Sequence, residues 1–240
     1  MTEETPVRRA LLIMHDHLSP ADPLVARLTE RGYAVAQRLV VPGERHATPD
    51  VAFDFPDPRD WDLIIPLGSP WAVDDLAAIG TWVTPELAML RKAHEAGVPV
   101  LGVCFGGQAL AAALGGGVER SPRPELGWVT VETDDPALVG PGPWFQFHYD
   151  RWILPPGAVE IARNGVCSQA FTVGRSMGVQ FHPEINVPQL ENWLVHGGAD
   201  LVRAAGRDPD AMLESLRRDE AAAIGRCGAL VDAFLERVAV

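Results

Sequence analysis

Two short stretches of this chain carry residue types suited to covalent chemistry on a carbonyl. The first is Gly102-Val103-Cys104-Phe105-Gly106-Gly107-Gln108, a thiol between glycines. The second, further along the chain, is Phe181-His182-Pro183-Glu184, an imidazole two positions from a carboxylate. A lone cysteine is more often a packed apolar side chain than a nucleophile. Glycines on both sides of Cys104 reverse that balance, because they permit a sharp turn and close approach of a substrate. A carboxylate beside an imidazole orients it and raises its basicity, as a general base needs in order to take a proton from a thiol and later deliver it to a departing amine. A His-x-Glu pair alone is more often a surface ion pair or a pair of metal ligands; combined with a separate elbow cysteine it reads as a triad of Cys104, His182 and Glu184.

The surrounding elements must bring these groups together. The β-branched apolar run 98–103 predicts a strand buried on both faces, and the Ala- and Leu-rich run 108–114 predicts a helix. Cys104 then sits at the strand-to-helix junction, a nucleophile elbow, with the first helical amides directed at the sulfur and at any oxyanion formed beside it. A second apolar strand, 61–71, ends in Gly68-Ser69-Pro70. Gly68 alone is a turn residue. If this strand neighbours the elbow strand, the amide of Gly68 or Ser69 joins that of Phe105 at the same oxyanion position. In extended backbone His182 and Glu184 project to one side.

The rest of the chain supplies a frame. Residues 10–14 predict a first strand, followed by a polar loop with His15 and His17, read as hydrogen-bonding loop residues rather than metal ligands. A helix over 20–31 ends at Gly32, and a second strand spans 33–41. Residues 42–59 are a surface connection, and Thr81 or Thr84 caps a helix reaching Gly97. Strands at 128–132, 144–148, 159–163, 169–173 and 177–182 follow, an antiparallel or mixed extension of a mostly parallel sheet. Helices are expected over 187–205, 209–218 and 220–238. His148 is a second candidate base, ranked below His182 and placed in the wall of the substrate pocket, whereas Cys167 and Cys227 are read as packing residues.

Composition narrows the function. With 47% hydrophobic and 22% charged residues the 240-residue chain reads as one globular domain, 1–240, its stretch 187–240 a C-terminal helical extension. The net charge of −12 opposes binding to phosphate backbones, so nucleic acid is excluded as a partner. No apolar run is long enough for a membrane span, and residues 1–9 lack the apolar core of a secretory signal, so a cytoplasmic location is expected. Three scattered cysteines form neither a disulfide framework nor a CxxC pair.

These residues resemble the class I (triad) glutamine amidotransferases. Gly102 to Gln108 is similar to the family's nucleophile motif, and His182-Pro183-Glu184 to its His-Pro-Glu motif in the same chain order. Pro66-Leu67-Gly68-Ser69-Pro70 resembles its oxyanion strand, with Ser69 where Gly is common. Glu125-Leu126-Gly127-Trp128, Phe147-His148-Tyr149-Asp150 and Ser168-Gln169-Ala170-Phe171 resemble stand-alone members akin to the amidotransferase domain of GMP synthase, with Tyr149 where Gly is common. The resemblance implies an α/β fold of flavodoxin type, a mostly parallel open sheet with helices on both faces, a mixed strand extension and C-terminal helices. It further implies attack of Cys104 on the side-chain amide of glutamine, an oxyanion hole of Gly68, Ser69 and Phe105, substrate contacts from Gln108, His148 and Tyr149, and no metal or organic cofactor. The sequence holds no Gly-x-x-x-x-Gly-Lys-Ser/Thr loop, so the ammonia is expected to pass to a separate synthetase. A γ-glutamyl hydrolase acting on a γ-glutamyl amine or peptide is the alternative, and a catalytically weak binding protein a third reading.

Overall fold

The computed structural model describes residues 7–240, so most of the N-terminal stretch 1–9 read above for a leader lies outside the described residues. In chain order the elements are β1 (Arg8–Met14), α1 (Asp22–Glu30), β2 (Tyr33–Leu39), β3 (Leu63–Pro66), α2 (Leu76–Glu95), β4 (Val100–Val103) and α3 (Phe105–Ala113). They are followed by β5 (Gly117–Val129), β6 (Glu132–Thr133), β7 (Trp144–Ile153), β8 (Val159–Arg163), β9 (Ser168–Val173) and β10 (Ser176–Val179). Helices α4 (Val187–Trp193), α5 (Ala199–Ala204) and α6 (Pro209–Arg237) complete the chain. The main sheet has the order β2-β1-β3-β4-β10-β9-β8-β6. Its first five strands are parallel, and β9, β8 and β6 continue it antiparallel.

Strand alternation divides the core between two faces. Ala10, Leu12, Leu63, Ile65, Leu101 and Val103 pack toward Leu24 and Leu28 of α1 and Leu230 and Phe234 of α6. Their neighbours Leu11, Ile13, Ile64 and Val100 pack toward Trp82, Val83 and Leu90 of α2 and Ala109 and Leu110 of α3. A period of two along strands buried on both sides produces this division. In such a sheet the crevice at the carboxyl ends of the strands is where ligands bind. No helix among the described residues is long and apolar enough to cross a membrane.

Several expectations change in detail. Strands β5 and β7 pair only with each other, as a separate antiparallel ribbon rather than as part of the sheet extension. A third apolar cluster explains their departure: Leu126 and Phe145 pack against Leu190, Val202, Met212 and Leu216, so the ribbon is seated on the C-terminal helices. The helix placed after Thr81 or Thr84 begins at Leu76 and is capped by Asp75, whose side chain accepts from the Ala78 amide at 3.2 Å. Pro85, which mimics a first-turn proline, lies inside it. The segment 187–205 is broken at Leu194–Gly198, where Gly197 has φ of 103°, whereas 209–218 and 220–238 merge into the single helix α6. The last strand stops at Val179, and His182 and Glu184 follow it in a loop.

Candidate active site

Cys104 lies between the last residue of β4 and the first of α3 with φ 52° and ψ −108°, and no other non-glycine residue among those described has positive φ. Such a backbone costs on the order of 1–3 kcal/mol and persists only where the surroundings enforce it. The enforcement is visible in the flanking glycines. A Cβ on Gly106 would lie 2.0 Å from the Pro66 carbonyl oxygen, and one on Gly102 would lie 2.5 Å from that of Gly106. The amide of Cys104 donates to Val179 O of β10 at 2.8 Å, and that of Gly106 donates to Leu67 O at 3.0 Å. The elbow is therefore pinned to the strands on either side of β4.

His182 is 3% exposed and Glu184 1%. His182 Nδ1 donates to Glu184 Oε1 at 2.8 Å, and Gln189 Nε2 at the start of α4 donates to the same oxygen at 3.2 Å. Asn186 caps α4 by accepting from the Gln189 amide, which fixes that glutamine. Trp193 packs edge-on against the His182 ring, centroids 4.9 Å apart, and its indole donates to Ser19 Oγ. Glu184 thus consumes Nδ1 and leaves Nε2, which has no aligned protein partner among the described residues, on the side of the Cys104 thiol. Burial alone would lower the His182 pKa; the charges of Glu184 and then Cys104 outweigh it and push it up to about 10. A loosely aligned thiol and imidazole are usual in an unliganded site.

Gly68 closes against this pair, its Cβ direction pointing to within 2.9 Å of His182 Cε1 and 3.9 Å of Cys104 Cβ. Its orientation is set by a residue whose role the sequence reading missed. His15 Nδ1 donates to Gly68 O at 3.1 Å, and Nε2 donates to the Glu86 carboxylate at 3.0 Å. Both ring nitrogens face acceptors, an arrangement that favours the doubly protonated ring. Its pKa is raised: burial opposes the charge, and Glu86 overcomes it. The ring lies among Trp82 and Phe105. Because a trans peptide sets C=O and N–H in opposite directions, fixing the Gly68 carbonyl on His15 aims the Ser69 amide away from His15. Ser69 Oγ accepts from the Trp71 amide at 3.2 Å and shapes the same turn.

A cavity of about 480 Å³ opens over these groups. Ser69, Cys104, Phe105, Gln108, His148, Tyr149 and His182 all line it, so the structure assembles the residues singled out in the sequence, with Gly68 and Glu184 directly behind. The amide nitrogen of Gln108 donates to Asp150 O at 2.9 Å and to Gln180 Oε1 at 3.2 Å, which holds its side chain at the wall. Gln180 also reaches the Cys104 sulfur at 3.7 Å. His46, Trp71, Arg120 and His196 also line it and were not foreseen. No local pattern marks them, because they converge from four separated segments.

One expectation fails. Cys167 is not a simple packing residue: its Sγ donates to Glu125 Oε2 at 3.4 Å, and Gln169 Nε2 donates to Cys167 Sγ at 3.2 Å. His148, Glu125 and Cys167 form a second Cys, His and Glu set, of which His148 lines the cavity. Cys227 matches its expected role, fully buried in α6 within the core.

The profile described as glutamine amidotransferase class-I matches residues 51–194, more than half of the chain, with Cys104, His182 and Glu184 all inside the matched span. The chain belongs to the class I glutamine amidotransferase family. Among curated relatives of this amidotransferase, the GMP synthase [glutamine-hydrolyzing] of Aeropyrum pernix is 36% identical over 138 residues, covering 52% of this chain and 27% of that protein. A shorter relative, named as one subunit of the GMP synthase [glutamine-hydrolyzing] of Sulfurisphaera tokodaii, is 35% identical over 138 residues, covering 53% and 69%. The alignment thus spans about a quarter of the first relative's length. A glutamine amidotransferase from Thermotoga maritima has the same fold, with TM-score 0.80 at 23% identity over 97% of this chain and 100% of that one. One from Methylobacillus flagellatus superposes with TM-score 0.79, at 24% identity over 96% and 95%.

Proposed function

We propose that this amidotransferase hydrolyses the side-chain amide of glutamine through a thioester on Cys104 and supplies the ammonia to a separate synthetase. The observation that carries the reading is the strained elbow thiol beside a glutamate-oriented imidazole at the floor of the cavity. His182 Nε2 takes the Cys104 proton and the sulfur attacks the amide carbon. The amides of Phe105 and of Gly68 or Ser69 hold the tetrahedral oxyanion, with the Gly68 peptide braced by His15. His182 then passes its proton to the leaving nitrogen, ammonia departs, and water cleaves the thioester to glutamate and free Cys104. Glu184 keeps the Nδ1–H tautomer throughout. Gln108, His148 and Tyr149 hold the substrate from the wall, and no cofactor enters these steps. That the shorter relative is named as one subunit of a synthase supports a separate ammonia acceptor.

The size of the cavity favours a second reading, a γ-glutamyl hydrolase. About 480 Å³ falls within the range of roughly 300–1,000 Å³ that houses ligands larger than a free amino acid. The test is incubation of wild type and Cys104→Ala with glutamine and a panel of γ-glutamyl amines, followed by mass spectrometry for glutamate and for a covalent adduct. Glutamine turnover lost in the variant supports the amidotransferase; selective cleavage of a larger γ-glutamyl amine supports the hydrolase. Full glutamine hydrolysis by Cys104→Ala overturns both.

A further inference from the structure

We propose that Glu125, His148 and Cys167 bind one divalent cation of the zinc class in the wall of the cavity. The three come from separate segments: Glu125 on β5 is paired directly with His148 on β7, and Cys167 precedes β9 of the main sheet. Their donor atoms all lie within 4.8 Å of one another. His148 Nε2 is 3.3 Å from Glu125 Oε2, and Cys167 Sγ is 3.4 Å from the same oxygen. An ion at about 2.0–2.4 Å from each donor satisfies those separations, and imidazole nitrogen, thiolate sulfur and carboxylate oxygen are the donors zinc takes.

The hydrogen bonding around the cluster points the same way. His148 Nδ1 donates to Asp150 O at 3.0 Å, which turns Nε2 toward Glu125 and Cys167. Nε2 is buried and, although within ion-pair distance of the Glu125 carboxylate oxygen, is not aligned with it as a hydrogen bond. His15, by contrast, makes an aligned hydrogen bond to its carboxylate, Nε2 to Glu86 at 3.0 Å. A cation held between His148 Nε2, Cys167 Sγ and the Glu125 carboxylate oxygen uses a nitrogen that is otherwise buried without an aligned hydrogen bond among the described residues. The supporting contacts of a metal centre are also present. Asn164 Nδ2 donates to Glu125 Oε1 and Gln169 Nε2 to Oε2, each at 2.7 Å, while the Asp150 carbonyl fixes the imidazole.

Binding releases the Cys167 thiol proton to solvent, and a dication with one thiolate, one carboxylate and a neutral imidazole is uncharged overall. A tetrahedral ion keeps a fourth position beyond these three donors. Held there, the cation ties the β5–β7 ribbon to the antiparallel half of the sheet and fixes His148, the one member of the cluster that lines the cavity. This proposal does not depend on the glutamine reading.

Calorimetric titration of the metal-stripped full chain with Zn²⁺ tests it, in a Cys104→Ala background that removes the other Cys, His and Glu set as a competitor. The expected result is one equivalent per chain and, with Co²⁺ as the probe, a thiolate-to-cobalt charge-transfer band. Cys167→Ala and Glu125→Gln, each made in that background and checked by circular dichroism, should weaken binding at least a hundredfold. If Cys167→Ala does not fold, Glu125→Gln and the cobalt band decide. Absence of stoichiometric binding, retention of affinity in the folded variants, or binding by wild type that disappears in Cys104→Ala overturns the proposal.

Discussion

Two sets of one cysteine, one histidine and one glutamate lie in this molecule, and their surroundings assign them opposite characters. Around Cys104 the backbone is forced to positive φ, the sulfur opens onto a cavity, and the carboxylate contacts the imidazole rather than the thiol. Around Cys167 the thiol donates directly to Glu125, and burial first, then that carboxylate, push its pKa up. A thiol whose proton points at a carboxylate is held as a thiol. Residue identity is therefore insufficient to mark a nucleophile: what separates the sets is whether the carboxylate also takes the thiol's proton, and whether helix amides and open space lie beside the sulfur.

The largest effect expected from breaking this contrast is on turnover. Cys104→Ala should lower kcat for glutamine hydrolysis by about 10⁴-fold or more, whereas Cys167→Ala, away from the cavity lining, should keep at least about a tenth of it; equal losses in steady-state assays would erase the distinction. Glu184→Gln follows, with kcat lowered about 10²- to 10⁴-fold by loss of the Nδ1–H tautomer. The His182 pKa, followed by NMR, should fall in this variant and stay in place in Glu125→Gln. Glu86→Gln should lower kcat by about 10- to 100-fold with little change in KM, because it loosens the His15 brace on the oxyanion turn without removing a donor.

The smallest effect is on stability against pH. The folded pKa of His182 is raised, to about 10, so its ion pair contributes fully below the unfolded value of about 6.5 and is lost as pH rises through the folded one. Between pH 7 and 10 the melting temperature of wild type should fall more steeply than that of Glu184→Gln, as read by differential scanning calorimetry. Glu125→Gln should show no such divergence from wild type in that window.

The elbow and the His-Pro-Glu stretch were legible because their chemistry is written in adjacent residues: Gly102, Gly106 and Gly107 around Cys104, and His182 two positions from Glu184. The alternation of strands and helices through α3 was legible for the same reason, since each element carries its own periodicity. What escaped depended on contacts between distant segments. His15 and Glu86 meet only when β1 and α2 pack, and neither is surrounded by a motif. The pairing of Glu125 with His148 that builds the ribbon follows from the apolar seat on α4, α5 and α6 rather than from either strand. Thr81 and Thr84 misplaced the start of α2 because threonine is itself a cap residue; Asp75 is one too, and only the packed fold selects between them.

The positive φ at Cys104 also sets durability against turnover. A conformation costing on the order of 1–3 kcal/mol is a large share of the roughly 5–15 kcal/mol that keeps a domain folded. Glycine would relieve that cost and abolish the nucleophile. Selection for a sturdier chain and selection for a faster one therefore pull position 104 in opposite directions, and stability lost at the elbow must be regained elsewhere, where the sequence is free to change without touching the reaction.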